Sequence, residues 1–380
     1  MANPGALDTS FSGDGKLAIN FGGIDAARVV LVQPNGRIVV AGGGGAAHSF
    51  CVARLRGNGA LDTTFSADGK RAIDFGGDDE SASGAALQPD GKIVLAGHSD
   101  FRVAVARLKP NGSLDTTFSG DGKTLFSWGA LSRASAVLVL PNGKLLLAGF
   151  SGPEGGNIQL ARLNANGALD TTFGTGGKAA VDFGGDDFGL AMARQANGRI
   201  LVAGRSTAAG AVIARLRANG TLDPAFGGDG RVTLPGGGSA NAVLVQPQDG
   251  KIVVAGNAAG SQMMTVTRLQ PNGAPDTTFD GDGTVSIDFG SLADLAADAV
   301  LQPDGKIVVA GYTQADEDVA VARVNADGSL DSAFGTAGRA TVDFGVATFG
   351  NAVARQPNAR IVVAGQRTGG DDFAVARLLG

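Results

Sequence analysis

Leu61-Asp62-Thr63-Thr64-Phe65-Ser66-Ala67-Asp68-Gly69-Lys70 is one copy of a segment that punctuates the whole chain. Its Asp-x-x-Phe heart returns at Asp8, Asp115, Asp170, Asp223, Asp276 and Asp331, each with a phenylalanine three residues on: Phe11, Phe118, Phe173, Phe226, Phe279 and Phe334. Successive aspartates are 54, 53, 55, 53, 53 and 55 residues apart. A fixed period of this size is the mark of stacked structural repeats, and the one- or two-residue differences belong in loops.

Working outward, each period reads as four short strands. In the first they are Ala26 to Gln33, Arg37 to Gly42, Phe50 to Leu55 and Lys70 to Phe75. The second, Arg-Ile-Val-Val-Ala-Gly, is a continuous run of β-branched residues, as expected of a strand buried on both faces. A Pro-Asn/Asp-Gly-Lys/Arg turn links the first two strands. Proline presets φ and glycine supplies the positive φ of a bulged hairpin. Glycine fills that slot at Gly36, Gly91, Gly143, Gly198, Gly250 and Gly305, but the seventh repeat has Ala359, which is expected to be strained.

The ends decide the closure. The chain finishes on a third strand, Phe373 to Leu378, and opens with an unmatched fourth, Lys16 to Phe21. Pairing the two completes a ring and leaves no open edge. The sequence therefore predicts an all-β, seven-bladed β-propeller of four-stranded antiparallel blades, the last closed by the N-terminal strand. The blades span about 25–75, 79–128, 132–183, 187–236, 239–289, 294–344, and 348–380 with 15–21. An arginine eight residues before the aspartate, from Arg54 to Arg323, with Arg377 meeting Asp8 across the closure, is expected to form a structural ion pair in every blade.

Composition fits this reading. Hydrophobic residues make up 43% of the 380, and 62 glycines with 13 prolines sit at fixed turn positions. A net charge of −5 argues against binding a phosphate backbone, which needs a basic stripe. No stretch approaches the ~20 apolar residues of a membrane-spanning helix. A single cysteine, Cys51, stands where other repeats carry small core residues. Trp128 stands where they carry the phenylalanine before glycine.

Leu-Asp-Thr-Thr-Phe-Ser-Gly-Asp-Gly-Lys, Gln-Pro-Asp-Gly-Lys-Ile-Val-Val-Ala-Gly and Val-Ala-Arg-Leu together resemble the bacterial delta-60 repeat, over essentially the whole chain. Local departures are Ala359, Pro235–Gly236 and Leu140. The resemblance implies a bacterial propeller, usually exported, and carries no family-wide catalytic residues. The expectation is a secreted, periplasmic or cell-surface protein whose signal peptide is not part of this sequence; a cytoplasmic one is the alternative.

Function is expected on the face opposite the Pro-Asp-Gly turns, where the loops differ in every blade. The residue after the Ala-Gly that ends the second strand is Gly43, His98, Phe150, Arg205, Asn257, Tyr312 and Gln366 around the ring. If these side chains lean inward, they form a mixed polar and aromatic rim suited to a small ligand. His48 and His98 lie on that face with Asp25, Glu80 and Asp100 nearby in the chain, a set suited to acid–base work. Asp298 falls in the first strand, where other blades have Val29, Gly84, Ala136, Ala191, Ala242 and Ala352. A carboxylate in that channel wall is expected to have a raised pKa unless Arg133 or Arg28 pairs with it.

Acidic loops at Asp78–Asp79, Asp186–Asp187, Asp371–Asp372 and Asp316-Glu317-Asp318 have the oxygen chemistry of Ca²⁺, without the spacing of a calcium loop. No cofactor is required, and no nucleophile elbow, zinc-protease motif, phosphate loop or dinucleotide fingerprint occurs. The expected function is a monomeric recognition module holding a glycan, peptide or small molecule at the channel mouth. The first alternative is a hydrolase or lyase using Asp298 or the histidines, and the second a structural or adhesion scaffold.

Overall fold

The computed structural model describes residues 3–152, 156–260, 263–314 and 317–380. Its strands form seven four-stranded antiparallel sheets, six of them in simple sequence order and the seventh closed by the first strand of the chain. Blade one comprises Ala26–Val32, Ile38–Gly44, Ser49–Leu55 and Lys70–Ile73. Blade seven comprises Thr348–Arg355, Ile361–Arg367 and Asp372–Leu378, completed on its outer edge by Lys16–Ile19. In that closure Lys16 lies opposite Ala376 and Ile19 opposite Phe373. The chain is thus the expected seven-bladed propeller. No α-helix occurs among the described residues.

The continuous apolar second strands are explained by the seams between blades. Side chains alternate across a strand, so Val39 and Ala41 pack against Ile93 and Leu95 of blade two. Ile38 and Val40 pack against Val362 and Ala364 of blade seven. Each buried Val, Ile or Leu contributes roughly 1.5–3 kcal/mol, so stability resides between sheets as much as within them. Cys51 is fully buried in one seam, where burial first and the Asp25 charge second push its thiol up to about 12. Trp128 packs edge-on against Phe126 at 5.7 Å.

Polar chemistry of the turn face is the same in every blade. Arg54, Arg107, Arg162, Arg215, Arg268, Arg323 and Arg377 each hold their aspartate at 2.5–2.9 Å. Each guanidinium also lies over the phenylalanine of the same segment, 4.7–4.9 Å from its centroid. A second cation comes from the hairpin turn: Arg37, Lys92, Lys144, Arg199, Lys251, Lys306 or Arg360. Burial alone would raise these carboxyls. Hydrogen bonds from Ser10 or Thr64 and the paired cations outweigh it and bring Asp8 and Asp62 down to about 2. Ala359, in the turn of blade seven, sits at φ +68°, the strained conformation its place in the repeat implies.

Candidate functional site

The innermost strands line the central channel, and a β-bulge interrupts every one of them. In blade one the register jumps from Ala27 to Val29, leaving Arg28 unpaired, and the same skip recurs in the other six. The cause lies in the Ala-Gly that ends the second strand. A Cβ on Gly42 would fall 1.9 Å from the carbonyl of Ala26, and one on Gly204 would fall 1.8 Å from that of Phe188. Only glycine tolerates so close a backbone, and it leaves room for the extra residue. Each bulge turns one side chain toward the axis. Arg28, Ser83, Ser135, Leu190, Asn241 and Asn351 line both a channel cavity of about 290 Å³ and a mouth cavity of about 330 Å³ above it, and Ala297 completes the ring.

Sequence reading placed the lining one residue later and so passed over this ring. Its visible trace was the glycine inside an otherwise β-branched strand, which is the mark of a bulge. The later residues Val29, Gly84, Ala136, Ala191, Ala242 and Asp298 also reach the channel wall. Asp298 is half-buried there, and neither Arg133 nor Arg28 pairs with it. Its carboxylate instead accepts the backbone N–H of Ala299 at 2.8 Å and that of Val353, in the next blade, at 2.9 Å. Burial raises its pKa to about 6, the two N–H groups opposing the shift.

The expected rim mostly does not lean over the mouth. The side chains of Phe150, Asn257 and Tyr312 cross the seam to the next blade, while Arg205 and Gln366 stay within their own. Phe150 meets Phe188 edge-on at 4.8 Å, and the Arg205 guanidinium lies over the Phe188 ring at 4.3 Å from its centroid. Tyr312 meets Phe349 edge-on at 4.9 Å. A Cβ on Gly43 would press on Ser81 at 2.7 Å. Gln366 is half-buried, paired across its hairpin with Phe349. Of this set, Asn257 and Tyr312 line the mouth cavity. Asn257 accepts the N–H of Ala296 at 2.7 Å, while Asn241 donates to the carbonyl of the same residue at 2.6 Å. Asn351 donates to the carbonyl of Ala27 at 2.8 Å. These amides satisfy backbone groups that the bulges expose, and their orientation follows, since only the NH₂ end donates to a carbonyl.

The histidines are in unlike settings. His48 is exposed in a tight turn at φ +48°, and no hydrogen bond or ion pair joins it to His98 among the described residues. His98 is 5% exposed, its Nε2 3.4 Å from Asp79. Burial and then the nearby Arg133 push its pKa down, against the pull of Asp79. The imidazole is therefore neutral at pH 7. Asp79 is held mainly by Arg133, at 2.8 Å. The carboxylates expected beside the histidines do other work. Asp25 accepts the N–H groups of Phe21 and Gly45, Glu80 those of Phe75 and Gly77, and Asp100 those of Asp78 and Asp79. They cap links between strands because a buried backbone donor without a partner is costly.

The acidic loops are likewise engaged. Asp186 and Asp187 accept the N–H groups of Gly156 and Phe183, and Asp372 lies 3.6 Å from Arg367. Asp316 lies outside the described residues. Among those described, no three His, Cys, Asp or Glu side chains converge as a metal site would require.

Solved structures of similar shape include virginiamycin B lyase from Staphylococcus aureus, with a TM-score of 0.63 at 8% identity over 96% of this chain and 98% of that one. Kuenenia stuttgartiensis hydrazine synthase matches with a TM-score of 0.57 at 10% identity, over 92% and 95%. YCF48 bound to D1 peptide matches with 0.54 at 11% identity, over 100% and 98%. At such identities the likeness is one of fold. No curated protein matches the sequence. A family profile described as "Domain of unknown function (DUF5122) beta-propeller" matches residues 33–65, 88–118, 140–173, 195–226, 248–279, 302–334 and 356–380, one segment per blade. With more than half its residues inside those segments, the chain belongs to the DUF5122 beta-propeller family.

Proposed function

We propose that this protein is a binding propeller that holds a small polar ligand at the channel mouth, on the face of variable loops. The bulge ring supports this reading. It presents Arg28, Ser83, Ser135, Asn241 and Asn351 to a cavity of about 330 Å³, within the range of small-molecule sites. The serine hydroxyls make no hydrogen bond among the described residues, and the asparagines use only their NH₂ ends. Donors and acceptors that converge on an open space without being spent on the fold are what a polar ligand requires. Ser135→Trp fills the mouth without removing an existing hydrogen bond. Saturable binding of a glycan, peptide or small molecule, seen by calorimetry and lost in that variant, is the expected result. Equal binding by the variant would move the site elsewhere.

One observation favours a second reading as a hydrolase or lyase. Asp298 carries a carboxyl with a pKa of about 6 in the wall of the channel just below the mouth. Such a group can give and take a proton near neutral pH. Virginiamycin B lyase has the same overall shape. Turnover of a mouth ligand would then follow a pH profile with an inflection near 6 that Asp298→Asn removes. Unchanged turnover in that variant would exclude this carboxyl.

A further inference from the structure

Arg28 differs from its neighbours at the mouth in what its charge meets. Arg133 is held by Asp79 at 2.8 Å. The Arg28 guanidinium has no carboxylate within ion-pair distance and no hydrogen bond among the described residues, although it lines both cavities. The surrounding protein first, and the Arg133 charge second, lower its pKa from the usual arginine value, with Asp79 opposing. Even so, a guanidinium stays charged. Arg28 is exposed at the mouth, so its uncommitted guanidinium is open to an anion, and a planar carboxylate matches its fork.

Two further features narrow the anion. The Nδ2 of Asn351 is bonded to Ala27, the residue before Arg28, so this amide is tied next to the arginine on the ring. Its Oδ1, and that of Asn241, are acceptors without a donor among the described residues. They call for ligand hydroxyls. Charge count supplies the second limit: with Arg133 spent on Asp79, the mouth offers one positive charge, and Asp298 below repels excess negative charge at pH 7. A monoanion fits this arrangement better than a phosphate dianion.

We infer that the ligand is a carboxylate-bearing polyol of the uronic-acid class, its carboxylate received by Arg28 and its hydroxyls turned to Asn241 and Asn351. This rests on the channel-mouth reading above and adds the chemistry of the ligand.

The test uses the whole protein labelled with ¹⁵N-arginine, with the Arg28 Nε–Hε resonance assigned from Arg28→Leu. D-Glucuronate, D-glucose, N-acetylglycine and inorganic phosphate are titrated separately at matched ionic strength. The expected result is a saturable shift of that resonance with glucuronate, weaker with N-acetylglycine and absent with glucose. Affinity for glucuronate should fall at least tenfold in Arg28→Leu, with partial recovery in Arg28→Lys. Tighter binding of phosphate overturns the monoanion assignment, and tighter binding of N-acetylglycine overturns the polyol. Equal binding of glucose and glucuronate, both lost in Ser135→Trp, overturns the carboxylate while the mouth site stands. Absence of any shift at the mouth with all four probes overturns the uronic-acid inference. The mouth reading itself then falls only if Ser135→Trp leaves the binding of other ligands unchanged.

Discussion

Asp115→Asn isolates what the repeated ion pair contributes. The carboxylate is 1% exposed and accepts from Arg107 Nε at 2.8 Å and from the Thr117 hydroxyl at 2.8 Å, with Lys92 at 3.5 Å. An asparagine there keeps one acceptor but turns an NH₂ group, or loses a charge, toward a guanidinium that is itself only 5% exposed. Removing one partner of a buried pair costs about 3–5 kcal/mol, because the other charge is left uncompensated. Arg107 keeps its bond to the Ala165 carbonyl at 2.6 Å and its seat over Phe118. The half-exposed Lys92 regains water. Both place the loss at the lower end, about 3 kcal/mol. Lys92→Met, which removes only the outer cation, should cost under about 1 kcal/mol, as solvent-facing pairs do. Equilibrium urea unfolding of the two variants measures both losses. If Asp115→Asn costs no more than Lys92→Met, the buried pair is not what holds the turn face together, and the argument for a structural role in all seven blades fails with it.

Three other outcomes are expected. Ala359→Gly should stabilise the protein by roughly 0.5–1 kcal/mol by removing an L-residue from φ +68°; a lower melting temperature would contradict it. Asp298 has a folded pKa of about 6, above its unfolded value of 3.8, so folding takes up a proton between those pH values and the group costs stability as pH rises through 6. Asp298→Asn loses one backbone N–H acceptor at any pH, so its effect on the melting temperature should be more favourable at pH 7.5 than at pH 4, by the equivalent of about 1–3 kcal/mol; an equal change at both would refute the assignment. Asp8 and Asp62, depressed from 3.8 to about 2, contribute stability that is full above pH 4 and lost as pH falls through 2. Each is worth about 1–2 kcal/mol after allowance for their partly exposed second cations. Acid unfolding followed by circular dichroism should shift to higher pH in Arg54→Met, and an unshifted transition would count against the pair.

The fold was legible because its information is local and repeated. Asp62, Gly36 and the run Ile38 to Ala41 each impose a turn or a strand within a few residues, and seven copies leave no other assembly. The Arg54–Asp62 pair was legible for the same reason, lying eight residues apart in one blade. The site was less so, since it depends on which way single side chains turn. One inserted residue at Arg28 changes which position faces the axis, and period-two reasoning cannot see it without the glycine opposite. Phe150, Arg205 and Tyr312 lie just inside the ends of their strands, and their direction is set by Phe188 and Phe349 in other strands. Arg133 meets Asp79 across a seam and 54 residues, a distance at which no spacing rule operates.

Cavity size alone does not identify a site. A concavity of about 570 Å³ lies among the hairpin turns of blades one and two, larger than the mouth, and it contains Arg37 and Arg54. Both guanidiniums are committed to Asp62, and that carboxylate also accepts from Thr64 through two donors. A carboxylate has about four lone-pair positions, so Asp62 has none to offer. A ligand that took either guanidinium from Asp62 would have to break a buried pair, at a cost of about 3–5 kcal/mol. The mouth is smaller, yet Arg28 and the Oδ1 atoms of Asn241 and Asn351 have capacity to spare. The proposed site at the mouth is thus one where an arginine and two amide oxygens stay open to a ligand. The turn face is uniform because each blade repeats the same buried Arg–Asp pair over a phenylalanine, whereas the bulge residues at the mouth take part in no such repeated pair and differ from blade to blade.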